Sequence, residues 1–192
     1  MNWTERFSAD AHAIQASEIR ELLKVLADPA ILSFAGGIPD ANLFPLAEIN
    51  RVRSIIEADP AVDRNSLQYS QTEGYAPLRD WIAASHSTPD IALAQDNVLV
   101  TNGAQQSLTL LAAALIDGGA PIAVARPTYL GALQVFETRR ARFVMVETDD
   151  DGILIDSLEA AFQQGVKLLY TVPDFQNPGG MTIPEDRRRQ MI

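Results

Sequence analysis

The sequence predicts an α/β fold with a largely parallel sheet and helices on both of its faces. Two observations predict it. From residue 97 onward, short apolar runs of strand character alternate with longer runs of helical spacing, as βαβ crossovers require. Composition agrees: of 192 residues, 47% are hydrophobic and 21% charged, the balance of a globular chain with a sizeable core.

The opening MNWTERFSADAH is polar and has no secretory pattern. Residues 14–27 place Ile14, Ile19, Leu22, Leu23 and Leu26 at helical spacing. Asp28-Pro29 ends that helix, because the residue before proline is pushed out of the helical region. ILSFAGGIPDANLFP follows as a folded loop, broken by Gly36-Gly37, Pro39 and Pro45. Residues 46–58 read as a helix with Leu46, Ile49, Val52, Ile55 and Ile56 inward. Gly74 marks a turn, and Pro77 suits the first turn of a helix carrying Leu78, Trp81 and Ile82.

VLVT (98–101) reads as a first strand, followed by NGAQQ and a helix through SLTLLAAALI, closed by Asp117-Gly118-Gly119. PIAVA is a second strand and RPTYLGALQVFETRR a second helix. RFVMVE is a third strand, and IDSLEAAFQQ a third helix with Asp156 as its N-cap. VKLLYTV is a fourth strand, and PEDRRRQMI opens a fourth helix with no stop signal before Ile192, so the chain is expected to be truncated there.

A net charge of −10 argues against a nucleic-acid partner, since phosphate contacts need clustered Lys and Arg. The one basic cluster, Arg187-Arg188-Arg189, stands beside Glu185 and Asp186 and reads as a solvated helix face. There is no cysteine, which excludes disulfides, thiolate metal sites and a Cys nucleophile. The two histidines, His12 and His86, are too far apart to suggest a metal site. No apolar run reaches the ~18 residues of a membrane span. A cytoplasmic protein without a membrane partner is the expectation.

Four motifs can carry chemistry. In VLVTNGAQQSL a strand passes through a small-residue turn into a helix, whose N-terminus offers unpaired N–H groups to an anion. Gly103 would let a phosphate approach the backbone, and Gln105 could add a donor; a plain strand-to-helix turn looks the same. In ARPTYLGALQVF, Pro127 and Thr128 start a helix at the carboxyl edge of a strand, where open α/β sheets bind ligands. Tyr129 there could stack on a planar heterocycle or pack as core. In LLYTVPDFQNPGG, Asn177 before Pro178 is held extended and reads either as a fixed amide donor or as a turn residue. In LQYSQTEGYAPLRDWIA, Tyr69 alone reads as a packing residue.

Together, SFAGGIPDANLFP, LQYSQTEGYAPLRDWIA, VTNGAQQSL, PTYLG and FQNPGG resemble, in order, the fold-type-I aminotransferases that depend on pyridoxal 5′-phosphate. The resemblance is to the class I group that includes 2-aminoadipate and kynurenine aminotransferases, and it runs from about residue 14 to 190. One departure stands at Gly179, where the family normally has threonine in its NP-Thr-G turn. The resemblance implies an N-terminal arm, substrate loop and small-domain segment over 1–60, and the first part of a large cofactor-binding domain over 61–192. It implies that Gly103, Ala104 and Gln105 hold the cofactor phosphate, that Tyr129 stacks on the pyridine ring, and that Asn177 hydrogen-bonds its phenolic oxygen. It makes the Asn177–Pro178 bond a candidate for cis geometry. Tyr69 would reach the phosphate of a neighbouring subunit, which implies a homodimer with shared sites. Gly37 and Arg20 would meet the substrate.

The resemblance also implies a Schiff-base lysine that this chain does not supply. Of its two lysines, Lys24 lies in the N-terminal helix and Lys167 opens a strand at the end away from the crevice. The catalytic lysine, the aspartate on the pyridine nitrogen and the carboxylate-binding arginine are expected beyond Ile192. The whole protein would then move an amino group from an amino acid to a 2-oxo acid by a ping-pong cycle, and the chain alone would be inactive. A carbon–sulfur lyase on the same fold is one alternative. Another is a cofactor-sensing regulatory domain, against which stands the expectation that a resemblance starting close to Met1 would leave no room for a DNA-binding module. A nucleotide-binding domain lacks the GxGxxG or GxxxxGK[ST] run it would need.

Overall fold

The computed structural model describes residues 2–13, 31, 37 and 39–192. The predicted helix over 14–27, with Arg20 and Lys24, lies outside the described residues. The chain divides into two compact units, Met1–Gln15 with Thr101–Ile192, and Ala16–Val100. Helix α1 (Ala9–Ala13) is a short element capped by Ser8, whose Oγ accepts the Ala11 N–H at 3.1 Å.

The unit Ala16–Val100 contains α2 (Leu46–Ala58), α3 (Pro60–Ser66) and α4 (Ala76–His86). Asp59 separates the first two: its carboxylate accepts the N–H groups of Ala61 and Val62 at 2.9 and 3.3 Å, and Pro60 fits a first helical position. Helix α2 has the expected bounds, but of the residues expected inward Leu46, Ile49, Val52 and Ile55 are exposed, and Ile56 is half-buried. Periodicity identifies a face that can be buried without saying what buries it.

Arg79 on α4 is 4% exposed, its Nε and Nη2 donating to the carbonyls of Val98 and Gln95 at 2.9 and 3.0 Å. These bonds hold the segment that was expected to be the first strand. Residues 98–101 form no strand; the Val100 N–H donates instead to the Glu73 carbonyl at 2.9 Å. Gly74, at φ +109°, makes that approach possible, since a Cβ there would lie 2.6 Å from Val100 Cβ.

The other unit holds a four-stranded sheet in the order β3-β2-β1-β4, from β1 (Pro121–Arg126), β2 (Arg142–Asp149), β3 (Gly152–Ile153) and β4 (Leu169–Tyr170). Its helices are α5 (Gly103–Leu115), α6 (Leu130–Glu137), α7 (Ile155–Phe162) and α8 (Glu185–Gln190). β1 runs parallel to β2 and to β4, whereas β3 is an antiparallel hairpin partner of β2. The sheet is therefore mixed at one edge, and the predicted strand over 166–172 shrinks to two paired residues.

Alternation along β1 builds two cores. Ala123 and Ala125 face Leu158 and Ala161 of α7, while Ile122 and Val124 face Ala112 of α5 and Ala132, Val135 and Phe136 of α6. Helices thus cover both faces, as the sequence predicts. Each fully buried Ile or Val contributes roughly 1.5–3 kcal/mol.

Two local readings are corrected. The N-cap of α7 is Leu154; Asp156 falls inside the first turn, where its charge still suits the positive end of the helix. The arginine run is not one solvated face. Arg187 pairs with Asp149 and donates to the Ile153 carbonyl, and Arg188 pairs with Asp174 and donates to the carbonyls of Ile183 and Pro173. Only Arg189 matches the expectation, with an exposed ion pair to Glu185 one turn back. The guanidinium beside each holds the carboxyls of Asp149 and Asp174 below their ordinary value.

Gly152 sits at φ +103° in the β2–β3 hairpin, and a Cβ there would lie 2.7 Å from Cγ1 of the buried Ile183. Gly152→Ala is expected to cost roughly 2–3 kcal/mol from backbone strain and overpacking together. Gly165→Ala, at φ +80° with nothing within 4 Å of its Cβ, is expected to cost about 1 kcal/mol from strain alone. Denaturant melts of the two variants test this; equal losses would remove the Ile183 contact from the account.

Candidate functional site

Helix α5 opens on Asn102 as N-cap, with no side-chain cap on its first turn. Geometry leaves the N–H groups of Asn102, Gly103, Ala104 and Gln105 without intrahelical acceptors. Two of them are used locally: Gly103 N–H goes to the Thr101 carbonyl at 2.9 Å, and Asn102 N–H to Gln106 Oε1 at 2.6 Å. Those of Ala104 and Gln105 are left, at the positive end of a 13-residue helix. Gly103, at φ +73°, takes a left-handed turn, and a Cβ there would meet no atom within 4 Å. A bond of 2.7 Å between Thr101 Oγ1 and Ser107 Oγ braces the same turn.

Tyr129 is the N-cap of α6, so the helix starts later than the sequence suggests, at Leu130. Pro127 and Thr128 stay in the connection after β1, and the Arg126–Pro127 bond is cis. The Tyr129 ring folds across Gly131, where a Cβ would lie 2.5 Å from its hydroxyl oxygen. Tyr129 is half-buried against the α5–α6 core and stands close to Tyr170 at the end of β4. Burial first, and the neighbouring Tyr129 second, push the Tyr170 phenol above its ordinary value. Thr128 Oγ1 is, among the described residues, the buried side-chain polar atom without a partner.

The turn after β4 carries Asn177, which is exposed, and the Asn177–Pro178 bond is cis, as expected. Inside this exposed turn Gln176 is 3% exposed. Its Nε2 donates to the carbonyls of Pro127 at 2.8 Å and Asn177 at 3.0 Å, and its Oε1 accepts the Gly179 N–H at 2.6 Å. The departure at Gly179 belongs to this arrangement, because a Cβ there would lie 2.8 Å from Gln176 Oε1.

Three motifs far apart in sequence are thus tied together at one edge of the sheet. Gln105 Nε2 donates to the Gly131 carbonyl at 3.1 Å, linking α5 to α6, and Gln176 links the Asn177 turn to Pro127. One Gln105 donor is therefore already engaged. Lys167 is exposed two residues before β4, at the opposite edge. Tyr69, almost fully exposed, and Gly37, at φ +57°, belong to the other unit. Arg20 lies outside the described residues. Sequence reasoning missed Gly131 and Gln176, and read Thr128 only as a helix start. Gly131 carried a signal, since a glycine inside a helix costs stability unless something packs closely on it. Among the described residues no group of His, Asp and Glu could hold a metal ion, and no helix is long and apolar enough to cross a membrane.

Gly131→Ala should gain up to about 1 kcal/mol of helix propensity. The displaced Tyr129 ring is expected to cancel that gain, leaving the melting temperature unchanged or lower. In the Tyr129→Ala background the same substitution should stabilise; a gain of equal size in both backgrounds would contradict the ring contact.

Residues 40–192 match the family described as aminotransferase class I and II. The chain is 39% identical to a 2-aminoadipate transaminase of Thermus thermophilus and 36% identical to aromatic-amino-acid aminotransferase 1 of Thermococcus litoralis, each match covering 100% of this chain and 47% of the relative. Among solved structures, an alpha-aminoadipate aminotransferase of Thermus thermophilus, complexed with N-(5′-phosphopyridoxyl)-L-leucine, superposes with a TM-score of 0.85 at 38% identity, over 100% of this chain and 46% of that one. The chain spans about half the length of the curated relatives it matches. With its α/β sheet, its motifs and this match, the chain belongs to the aminotransferase class I and II family.

Proposed function

We propose that this chain supplies the cofactor-holding part of a pyridoxal-phosphate-dependent aminotransferase that moves an amino group from an amino acid to a 2-oxo acid. The observation that carries the proposal is the α5 N-terminus. Its two available N–H groups and the empty Cβ direction at Gly103 suit a phosphate that must approach backbone closely. The residues around it fit the remainder of the cofactor. Tyr129 offers an aromatic face, Thr128 an unpaired hydroxyl, and Asn177 an exposed amide, on loops that Gln105 and Gln176 tie together.

When bound, pyridoxal phosphate supplies a carbonyl that takes up the amine and a ring that draws electrons from the amino acid's α-carbon. The residues of this chain bind and orient. Ala104 and Gln105 would hold the phosphate through backbone N–H groups, and the second Gln105 amide proton would add a donor. Tyr129 would offer its face to the ring, and Asn177 would donate to the phenolic oxygen. Lys167 stands at the edge of the sheet away from these motifs, and the covalent lysine is proposed to lie in the part of the relatives' length that this chain does not span. Amino acid and 2-oxo acid are the proposed substrates, and Gly37 and Arg20 are the residues proposed to bind them. The exposure of Tyr69 supports a contact outside its own unit, as a homodimer with shared sites would use.

Titration of the chain with pyridoxal phosphate, followed by ring absorbance, is expected to give saturable binding that inorganic phosphate competes away. Gly103→Ala adds a Cβ that meets no atom within 4 Å but strains the backbone at φ +73°, as at Gly165, and would also crowd a phosphate approaching there; affinity should fall about tenfold, or about 1.4 kcal/mol. Borohydride reduction and peptide mapping should find neither Lys24 nor Lys167 labelled stoichiometrically. Absence of saturable binding, or stoichiometric label on Lys167, contradicts the proposal.

A further inference from the structure

Gln176 has a buried carboxamide in a turn that is otherwise open to solvent. Phe175 before it is 83% exposed, and Asn177, Pro178, Gly179 and Gly180 after it are all exposed. Burying an amide is unfavourable unless its hydrogen bonds are made, and here both donors and the acceptor are used. The three bonds fall on either side of Asn177–Pro178: one on the Asn177 carbonyl, one on the Gly179 N–H, and one on the Pro127 carbonyl of the neighbouring connection. The Gln176 backbone is fastened as well, its N–H to the Met181 carbonyl at 2.8 Å and its carbonyl from the Gly180 N–H. Asn177's own carboxamide, by contrast, has no hydrogen-bond partner among the described residues. The side chain one residue before Asn177 therefore bonds to the chain on both sides of the Asn177–Pro178 bond and ties it to the connection that carries Tyr129.

We propose that Gln176 is a positioning residue: it holds Asn177 at the distance from the Tyr129 connection at which the Asn177 amide reaches the phenolic oxygen of a bound pyridine ring. This rests on the cofactor reading above, and goes beyond it in assigning the placement of Asn177 to a residue that touches no ligand. Gln176 acts through Asn177, so its loss should change the ionisation of the phenol while leaving the phosphate contacts at α5 alone. A residue that only stabilised the fold would change both or neither.

The probe is 4′-deoxypyridoxine 5′-phosphate, which has the ring, phenol and phosphate but no carbonyl and so needs no lysine to bind. Its absorbance, titrated with pH while bound to the chain, reports the phenol's ionisation. In Asn177→Ala the phenol pKa is expected to rise by about one unit, the size of one lost hydrogen bond to a charged oxygen. Gln176→Met should produce most of that rise, and the double variant should add nothing to Asn177→Ala alone. Competition by inorganic phosphate should be unchanged in Gln176→Met. Gln176→Leu, uncharged and close in volume, also loses both donors, and reads the same coupling should the Met variant fail to fold. An unshifted phenol in folded Gln176 variants, with a clear shift in Asn177→Ala, overturns the positioning role and leaves the cofactor reading standing. Failure of the wild-type chain to bind the probe at all overturns both.

Discussion

Two glutamine carboxamides hold the candidate site together, each crossing from one sheet connection to the next. Gln105 joins the first turn of α5 to Gly131 in α6, and Gln176 joins the turn after β4 to Pro127 after β1. Beyond the core packing that holds α5 and α6, these bonds tie the helix end, the aromatic of the second connection and the amide of the third to one another. Each bond is individually modest, about 1 kcal/mol net. Their importance is geometric, because a ligand that touches all three loops binds well only if their spacing is set beforehand.

That spacing also depends on the sheet. β1 is the central strand, and its alternating residues are buried on both faces, against α7 on one side and against α5 and α6 on the other. A strand covered on both faces cannot shift register without moving apolar side chains out of both cores. The carboxyl end of β1 is consequently a fixed point from which the Pro127–Tyr129 connection departs. β4 is held more lightly within the sheet, by two residue pairs, and the connection that follows it is fastened by side chains: Arg188 on Asp174, Gln176 on Pro127. The two arginines that grip Asp149 and Asp174 extend this from α8, so a run that looks like surface charge instead braces the hairpin and the turn.

Much of this was legible in the sequence wherever the cause is local. The bounds of α2 follow from proline and periodicity, the alternation of strands and helices after residue 101 follows from spacing, and the motifs stand where the fold places them. Burial was less legible. The apolar stripe of α2 is exposed, and the segment 98–101, with strand composition, pairs with a turn carbonyl instead of a strand, because pairing depends on a partner that composition does not name. Gln176 was the least legible of all. A polar residue in a polar turn predicts exposure, and its burial depends on a carbonyl 49 residues away. Gly131 had a local signal, a glycine within a helix, whose meaning became readable only once the Tyr129 ring was seen lying across it.

The central claim, that the α5 N-terminus and the two connections beside it form one cofactor cradle, is tested most directly by backbone amide NMR of the chain with and without pyridoxal phosphate. The account predicts that saturating ligand shifts the amides of Gly103, Ala104 and Gln105 together with those of Tyr129 and Asn177, at a single common affinity. Shifts confined to other residues, or amides at 103–105 that stay in place while the ligand saturates, would contradict it.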